Sequence, residues 1–239
     1  MEAFPRAILI DLDDTLVDDS SNVDACWDDA CAAVAPRLRG VGVDRLRAAI
    51  DRRASWYWSD PKRHCTGRLD LRAVRRHILE LAFAELWIDD SGLARDLAEM
   101  YRQLREERAQ MFPGVIDTLD RLRAQGVRLG MMTNGAADAQ RAKIERFGLA
   151  AYFDHIIIEG EFGAGKPDRR VFEALLSAFD VAPGDAWAIG DHLEFDVLAP
   201  MRLGLHGIWV DVRNAGLDGH PGRPHRVVSA FTEIVETPV

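Results

Sequence analysis

The sequence predicts an α/β protein: a parallel sheet covered by helices on both faces, with an all-helical insert close to its N-terminus. Three observations predict this. Short, largely apolar runs at Ala7–Ile10, Val127–Met132, His155–Ile158, Ala186–Ile189 and Gly207–Val210 have no regular polar alternation, as strands buried on both faces require. From about residue 112 these runs alternate with helical segments, the pattern of a parallel sheet with crossover helices. Between about 20 and 110 no convincing strand occurs. Leu71, Val74, Ile78, Leu81 and Leu86, then Leu93, Leu97, Met100 and Leu104, follow helical spacing instead.

Taken in chain order, the first run ends in Asp11-Leu12-Asp13-Asp14-Thr15. The helical insert follows, and its place directly after the first strand predicts a lid. Val115, Leu119 and Leu122 predict a helix that stops at Gln125-Gly126. The next strand ends in Thr133-Asn134-Gly135, before a helix over about 137–147. A helix over about 168–179 precedes the strand that ends in Gly190-Asp191, and a further helix leads into Gly207–Val210. The predicted organisation is a core of residues 1–18 and 111–239 with a helical cap over 19–110.

The chain has 239 residues, 48% of them apolar, which is enough to bury a full core. No apolar stretch approaches the ~20 residues that span a bilayer, so no membrane association is expected. The first residues do not read as a signal peptide, so the cytoplasm is the default location. Cys26, Cys31 and Cys65 show neither metal-knuckle spacing nor an even count, and read as reduced and structural. A net charge of −9 argues against nucleic-acid binding, because a phosphate backbone is repelled. A monomer or a homodimer is expected.

In parallel sheets ligands collect at the carboxyl ends of the strands. Asp11, Asp13, Thr133 and Asp191 stand at those ends, and Lys166 follows in the loop Gly163-Ala164-Gly165-Lys166-Pro167. Alternation puts Asp11 and Asp13 on one side of the strand end. Two carboxylates at ~4 Å repel by about 4 kcal/mol at an effective dielectric of ~20, so a cation or a shared proton is expected between them. Asp11, Asp13, Asp191 and Asp196 against Lys166 leave about −3 if all are ionised, which excludes a phosphate dianion until a divalent ion enters. Few carboxylates with open positions suit Mg²⁺, and calcium is expected to inhibit by occupying the nucleophile. With the metal present, Asp11 is placed to attack phosphorus and Asp13 to exchange protons, while Thr133, nearby amides and Lys166 hold the phosphoryl oxygens.

These motifs resemble those of the haloacid dehalogenase-like (HAD) superfamily hydrolases, in the subgroup with a helical cap inserted after the first motif. Asp11-Leu12-Asp13-Asp14-Thr15, Thr133-Asn134-Gly135, Lys166-Pro167-Asp168 and Gly190-Asp191-His192-Leu193-Glu194-Phe195-Asp196 occur in the family's order across nearly the whole chain. The resemblance implies a Rossmann-like three-layer core. It also implies Asp11 as nucleophile, Asp13 as acid/base, and Thr133, Asn134 and Lys166 as phosphate-binding residues. Mg²⁺ would be held by Asp11, Asp191 and the backbone carbonyl of Asp13, with Asp196 in support. The implied activity is hydrolysis of a small phosphorylated metabolite through an aspartyl phosphate. A sugar-phosphate mutase of the β-phosphoglucomutase type, and a metabolite-binding protein on the same scaffold, stay open as alternatives.

Other residues have blander readings. Asp14, Asp18 and Asp19 read as turn and surface carboxylates, and His192 as a loop histidine at a pocket edge. Trp56, Tyr57, Trp58, Arg63 and Arg68 fall in an aromatic and basic loop broken by Pro61 and Gly67. Packing within the insert and substrate recognition are both open for them.

Overall fold

The computed structural model describes residues 4–220 and 222–235, which form two compact units. One takes the chain up to Asp18 and again from Gln110, and the other is Asp19–Ala109. Strand β1 (Ala7–Ile10) is wholly buried, Ala7 and Leu9 on one face and Ile8 and Ile10 on the other. After a turn, β2 (Val17–Asp18) carries the chain into the helical unit.

That unit contains α1 (Val23–Val34), α2 (Val43–Trp58), α3 (Pro61–Gly67), α4 (Leu71–Glu85) and α5 (Ser91–Arg108). Its core gathers Cys26, Cys31, Leu46, Ile50, Leu79, Leu93 and Leu97, and Trp27 stacks on Tyr101 with ring centroids 3.7 Å apart. Cys26 and Cys31 are free and buried, and burial pushes the Cys31 thiol up to about 11. Cys65 is exposed, so it lacks the structural role expected of all three cysteines.

The aromatic and basic segment is not a loop. Trp56–Trp58 end α2, and α3 begins at Pro61 with Asp60 as its N-cap, accepting the Arg63 N–H at 2.8 Å. Proline at the first helical position lacks only an N–H that would be unpaired anyway, so here it starts a helix rather than breaking one.

The α/β unit resumes with β3 (Gln110–Met111), antiparallel to β2, so Gln110 belongs here and not to the insert. Then come α6 (Val115–Ala124), β4 (Arg128–Thr133), α7 (Ala137–Arg146), β5 (His155–Ile158), the short α8 (Glu159–Phe162) and α9 (Arg169–Phe179). Strands β6 (Ala186–Gly190), β7 (His206–Val210) and β8 (Arg226–Val228) complete it, with a π-helical turn at Leu193–Leu198 between β6 and β7. Six strands form one parallel sheet in the order β5-β4-β1-β6-β7-β8. β8 was not expected, because three residues with Arg226 at the front carry no apolar run.

Helix α9 buries Val171, Phe172, Leu175, Leu176 and Phe179 along one stripe against the Ala7 and Leu9 face of the sheet. Gly130 in β4 lets it approach: a Cβ there would lie 3.0 Å from Phe179 and 3.2 Å from Leu175. Among the described residues no helix is long and apolar enough to cross a membrane.

Candidate active site

Strand pairing decides what meets what. β1 lies between β4 and β6 with Ile10 level with Met131 and Ile189, so the chain delivers Asp11, Thr133 and Asp191 to one edge. The Asp11 N–H continues the ladder onto the Ile189 carbonyl at 2.9 Å. Asp11, Thr133, Lys166 and Asp196 are all buried. Lys166 Nζ pairs with Asp11 Oδ1, and lies 2.6 Å from Asp196 Oδ1. Thr15, given no role from sequence, donates its hydroxyl to Asp11 Oδ2 at 3.2 Å.

Local backbone features hold these side chains. Asp196 Oδ2 accepts the His192 N–H at 2.9 Å, which folds the carboxylate back under Gly190. A Cβ on Gly190 would lie 2.4 Å from Asp196 Oδ2, so only glycine fits there. The Lys166 loop is clamped by Asn134: its Oδ1 accepts the Lys166 N–H at 2.7 Å, and its Nδ2 donates to the Lys166 carbonyl at 2.9 Å. Both ends of that amide therefore hold the loop. Buried Glu159 accepts the Gly135 N–H at 2.9 Å, tying the second motif to the end of β5. Neither Glu159 nor Thr15 carries a sequence signal that separates it from a surface polar residue.

Asp13 stands apart. Its carboxylate accepts from Gln140 Nε2 on Oδ2 at 2.8 Å and pairs with Lys143 Nζ on Oδ1, both from α7. Lys143 therefore adds a positive charge to the site and lowers the excess of negative charge expected from sequence by one. Gln140 also donates to Thr133 Oγ1 at 3.0 Å and to the Asn134 carbonyl at 2.7 Å. Its Oε1 is buried without a partner, which costs about 1–3 kcal/mol.

Charges in this site are mutually tuned. Burial pushes the Asp11 carboxyl well above its usual range; Lys166 opposes that, and Asp196, Asp191 and Asp13 reinforce it. Burial alone would lower Lys166, but Asp11 and Asp196 outweigh it and hold the ammonium charged. Asp191 is pushed up to about 7 by burial, then by Asp196 and Asp14. Asp11, Asp191 and Asp196 each bring one carboxylate oxygen within 4.8 Å of the others. Three hard oxygen donors this close together, with burial raising the carboxyls of Asp11 and Asp191, fit a hard divalent cation. Lys166 engages both Asp11 and Asp196, and Asp196 also accepts the His192 N–H.

The residues with blander readings have defined partners. His192 accepts the Phe195 N–H on Nδ1 at 3.2 Å and stacks on Phe195, capping the π-helical turn. Asp14 is in a turn as expected, at φ 59°, but its carboxylate is largely covered and pairs with Arg213 at 3.0 Å. Asp19 likewise pairs with Arg105 at 2.8 Å. In the helical unit, Arg63 of α3 lies over the Trp56 ring at 4.0 Å and donates to the Trp56 and Tyr57 carbonyls, so it packs against the end of α2.

A family model for the haloacid dehalogenase-like hydrolases matches residues 5–204. The chain is 33% identical to a phosphoserine phosphatase of Thermus thermophilus over 221 residues, 86% of this chain and 88% of that one. It is 29% identical to a glyceraldehyde 3-phosphate phosphatase of Pyrococcus furiosus over 85% of this chain and 80% of that one. The structure of a 2-haloacid dehalogenase from Pseudomonas syringae superposes with a TM-score of 0.65 at 29% identity, covering 98% of this chain and 97% of that one. Four motifs meeting at one sheet edge, and a match along most of the length, lead to one conclusion: the chain is an enzyme of the haloacid dehalogenase-like hydrolase family.

Proposed function

We propose that the chain is a Mg²⁺-dependent phosphatase that hydrolyses small phosphate monoesters through an aspartyl phosphate on Asp11, working in the cytoplasm. The observation that carries this reading is the pairing of a buried Asp11 with a second carboxylate, Asp13, that reaches separate proton donors on α7. A dehalogenase has no leaving alkoxide to protonate and gains nothing from that second acid. The relatives named for phosphoserine and glyceraldehyde 3-phosphate support a small anionic metabolite as substrate.

In the proposed cycle an Asp11 oxygen forms a bond to phosphorus as the ester P–O bond breaks, and Asp13 delivers a proton to the departing oxygen. Water then attacks phosphorus, gives its proton to Asp13, and releases Asp11 with inorganic phosphate. Lys166 balances charge on the phosphoryl oxygens, and Thr133 with adjacent N–H groups orients them. Asp11, Asp191 and the Asp13 carbonyl would hold Mg²⁺, with Asp196 supporting; the ion supplies the charge that lets a dianion approach these carboxylates. The helical unit, inserted directly after the first motif, serves as the cap that restricts substrates to small molecules.

The test is phosphate release from p-nitrophenyl phosphate and a panel of metabolite esters by purified protein. Mg²⁺-dependent release by wild type, absent in Asp11→Asn, is expected. Release that survives chelation or the Asn substitution would contradict the reading.

A further inference from the structure

We propose that Gln140 and Lys143 are positioning residues for Asp13, and that they determine how well it protonates the leaving group. The inference rests on the phosphatase reading above, in which Asp13 is the acid/base.

Three features of α7 support it. Gln140 and Lys143 are three residues apart, so they share one helix face. Each takes a different oxygen of the Asp13 carboxylate: Gln140 donates to Oδ2, and Lys143 pairs with Oδ1. Two anchors on one rigid helix fix both the rotation and the tilt of a carboxyl group, which a single anchor does not. Gln140 is itself fixed, because the same amide nitrogen reaches Thr133 Oγ1 and the Asn134 carbonyl. This links the acid/base to the segment proposed to orient the phosphoryl group.

The orphaned Oε1 adds weight. Turned over, Oε1 would face the Asp13 carboxylate and the Asn134 carbonyl, neither of which can donate to it. The buried oxygen is left unsatisfied so that the nitrogen can serve these acceptors. Lys143 is also one of only three lysines in the sequence. An ammonium offers a compact charge to one oxygen, whereas a guanidinium fork tends to claim both.

A residue that positions the acid affects substrates in proportion to their need for a proton. p-Nitrophenyl phosphate leaves as a stabilised phenolate and needs little help; phenyl phosphate has nearly the same shape but a much more basic leaving group. The experiment measures kcat/KM for both esters, with Mg²⁺, in wild type, Lys143→Met, Lys143→Arg and Gln140→Leu. That ratio reports the step in which the ester bond breaks.

The expected result is a fall of about 10–100-fold on phenyl phosphate and less than about threefold on p-nitrophenyl phosphate for Lys143→Met, whereas Gln140→Leu, which also loosens Thr133, lowers both and phenyl phosphate more. Lys143→Arg, whose fork would also claim the oxygen that Gln140 holds, is expected to recover only part of the loss. Equal losses on the two esters, or none on either, would overturn the proposal. If Gln140→Leu fails to fold, Lys143→Met carries the test alone, since Lys143 is partly exposed. Wild-type protein inactive on both esters would instead sink the phosphatase reading, a separate failure.

Discussion

Asp11 and Asp13 are two residues apart in one motif, yet their surroundings are opposite. The Asp11 side chain is 8% exposed and shares Lys166 with Asp196 in a closed triad. The Asp13 side chain is 29% exposed and is held by α7. A carboxylate that carries a phosphoryl group benefits from exclusion of water, and one that exchanges protons must communicate with solvent. The turn between β1 and β2, with Asp14 in the left-handed region, separates the two environments within a few residues.

Replacing Asp11 by Asn breaks the comparison most severely: kcat is expected to fall by about 10³-fold or more while the fold persists, checked by phosphate release and circular dichroism. Lys166→Met comes next. It strands Asp11 and Asp196 without their shared counter-charge, and a loss of about 3–5 kcal/mol is expected in urea unfolding. Gly190→Ala, whose methyl would intrude on the Asp196 carboxylate, is expected to cost about 1–3 kcal/mol in the same measurement.

Much of this was legible in the sequence. The parallel sheet showed because its strands are short apolar runs, and the site showed because β1, β4 and β6 each end in a polar motif. Features lacking such contrast did not show. Gln140 and Lys143 sit in an ordinary polar helix, and only the crossing of α7 near the first motif reveals that they meet Asp13 across more than a hundred residues. β8 is too short to make a pattern. The aromatic segment resembles a loop because proline breaks helices in their interior, whereas the N-capping Asp60 before Pro61 makes it a helix start.

Metal and pH sharpen the Asp11 side further. The folded-state value of about 7 for Asp191 lies above its ordinary 3.8. Its contribution to the stability of metal-free protein is therefore fully present below about pH 4 and lost as pH rises through about 7. A carboxylate site takes up a metal ion in its deprotonated form, so under the proposed function the rise in Tm on adding Mg²⁺ is expected to be larger at pH 8 than at pH 5. Thermal unfolding at both pH values, with and without Mg²⁺, checks this. On the Asp13 side the smallest effect is expected: Lys143→Met should cost less than about 1 kcal/mol, because that pair is partly solvated.

The most direct measurement is acid quenching of wild-type enzyme during turnover with Mg²⁺, followed by mass spectrometry of the peptide that contains residues 11 and 13. A single phosphoryl group on Asp11, absent without Mg²⁺ and from Asp11→Asn, is the predicted result. Turnover with no phosphorylated peptide in any quench, or with phosphate on Asp13, would contradict the account.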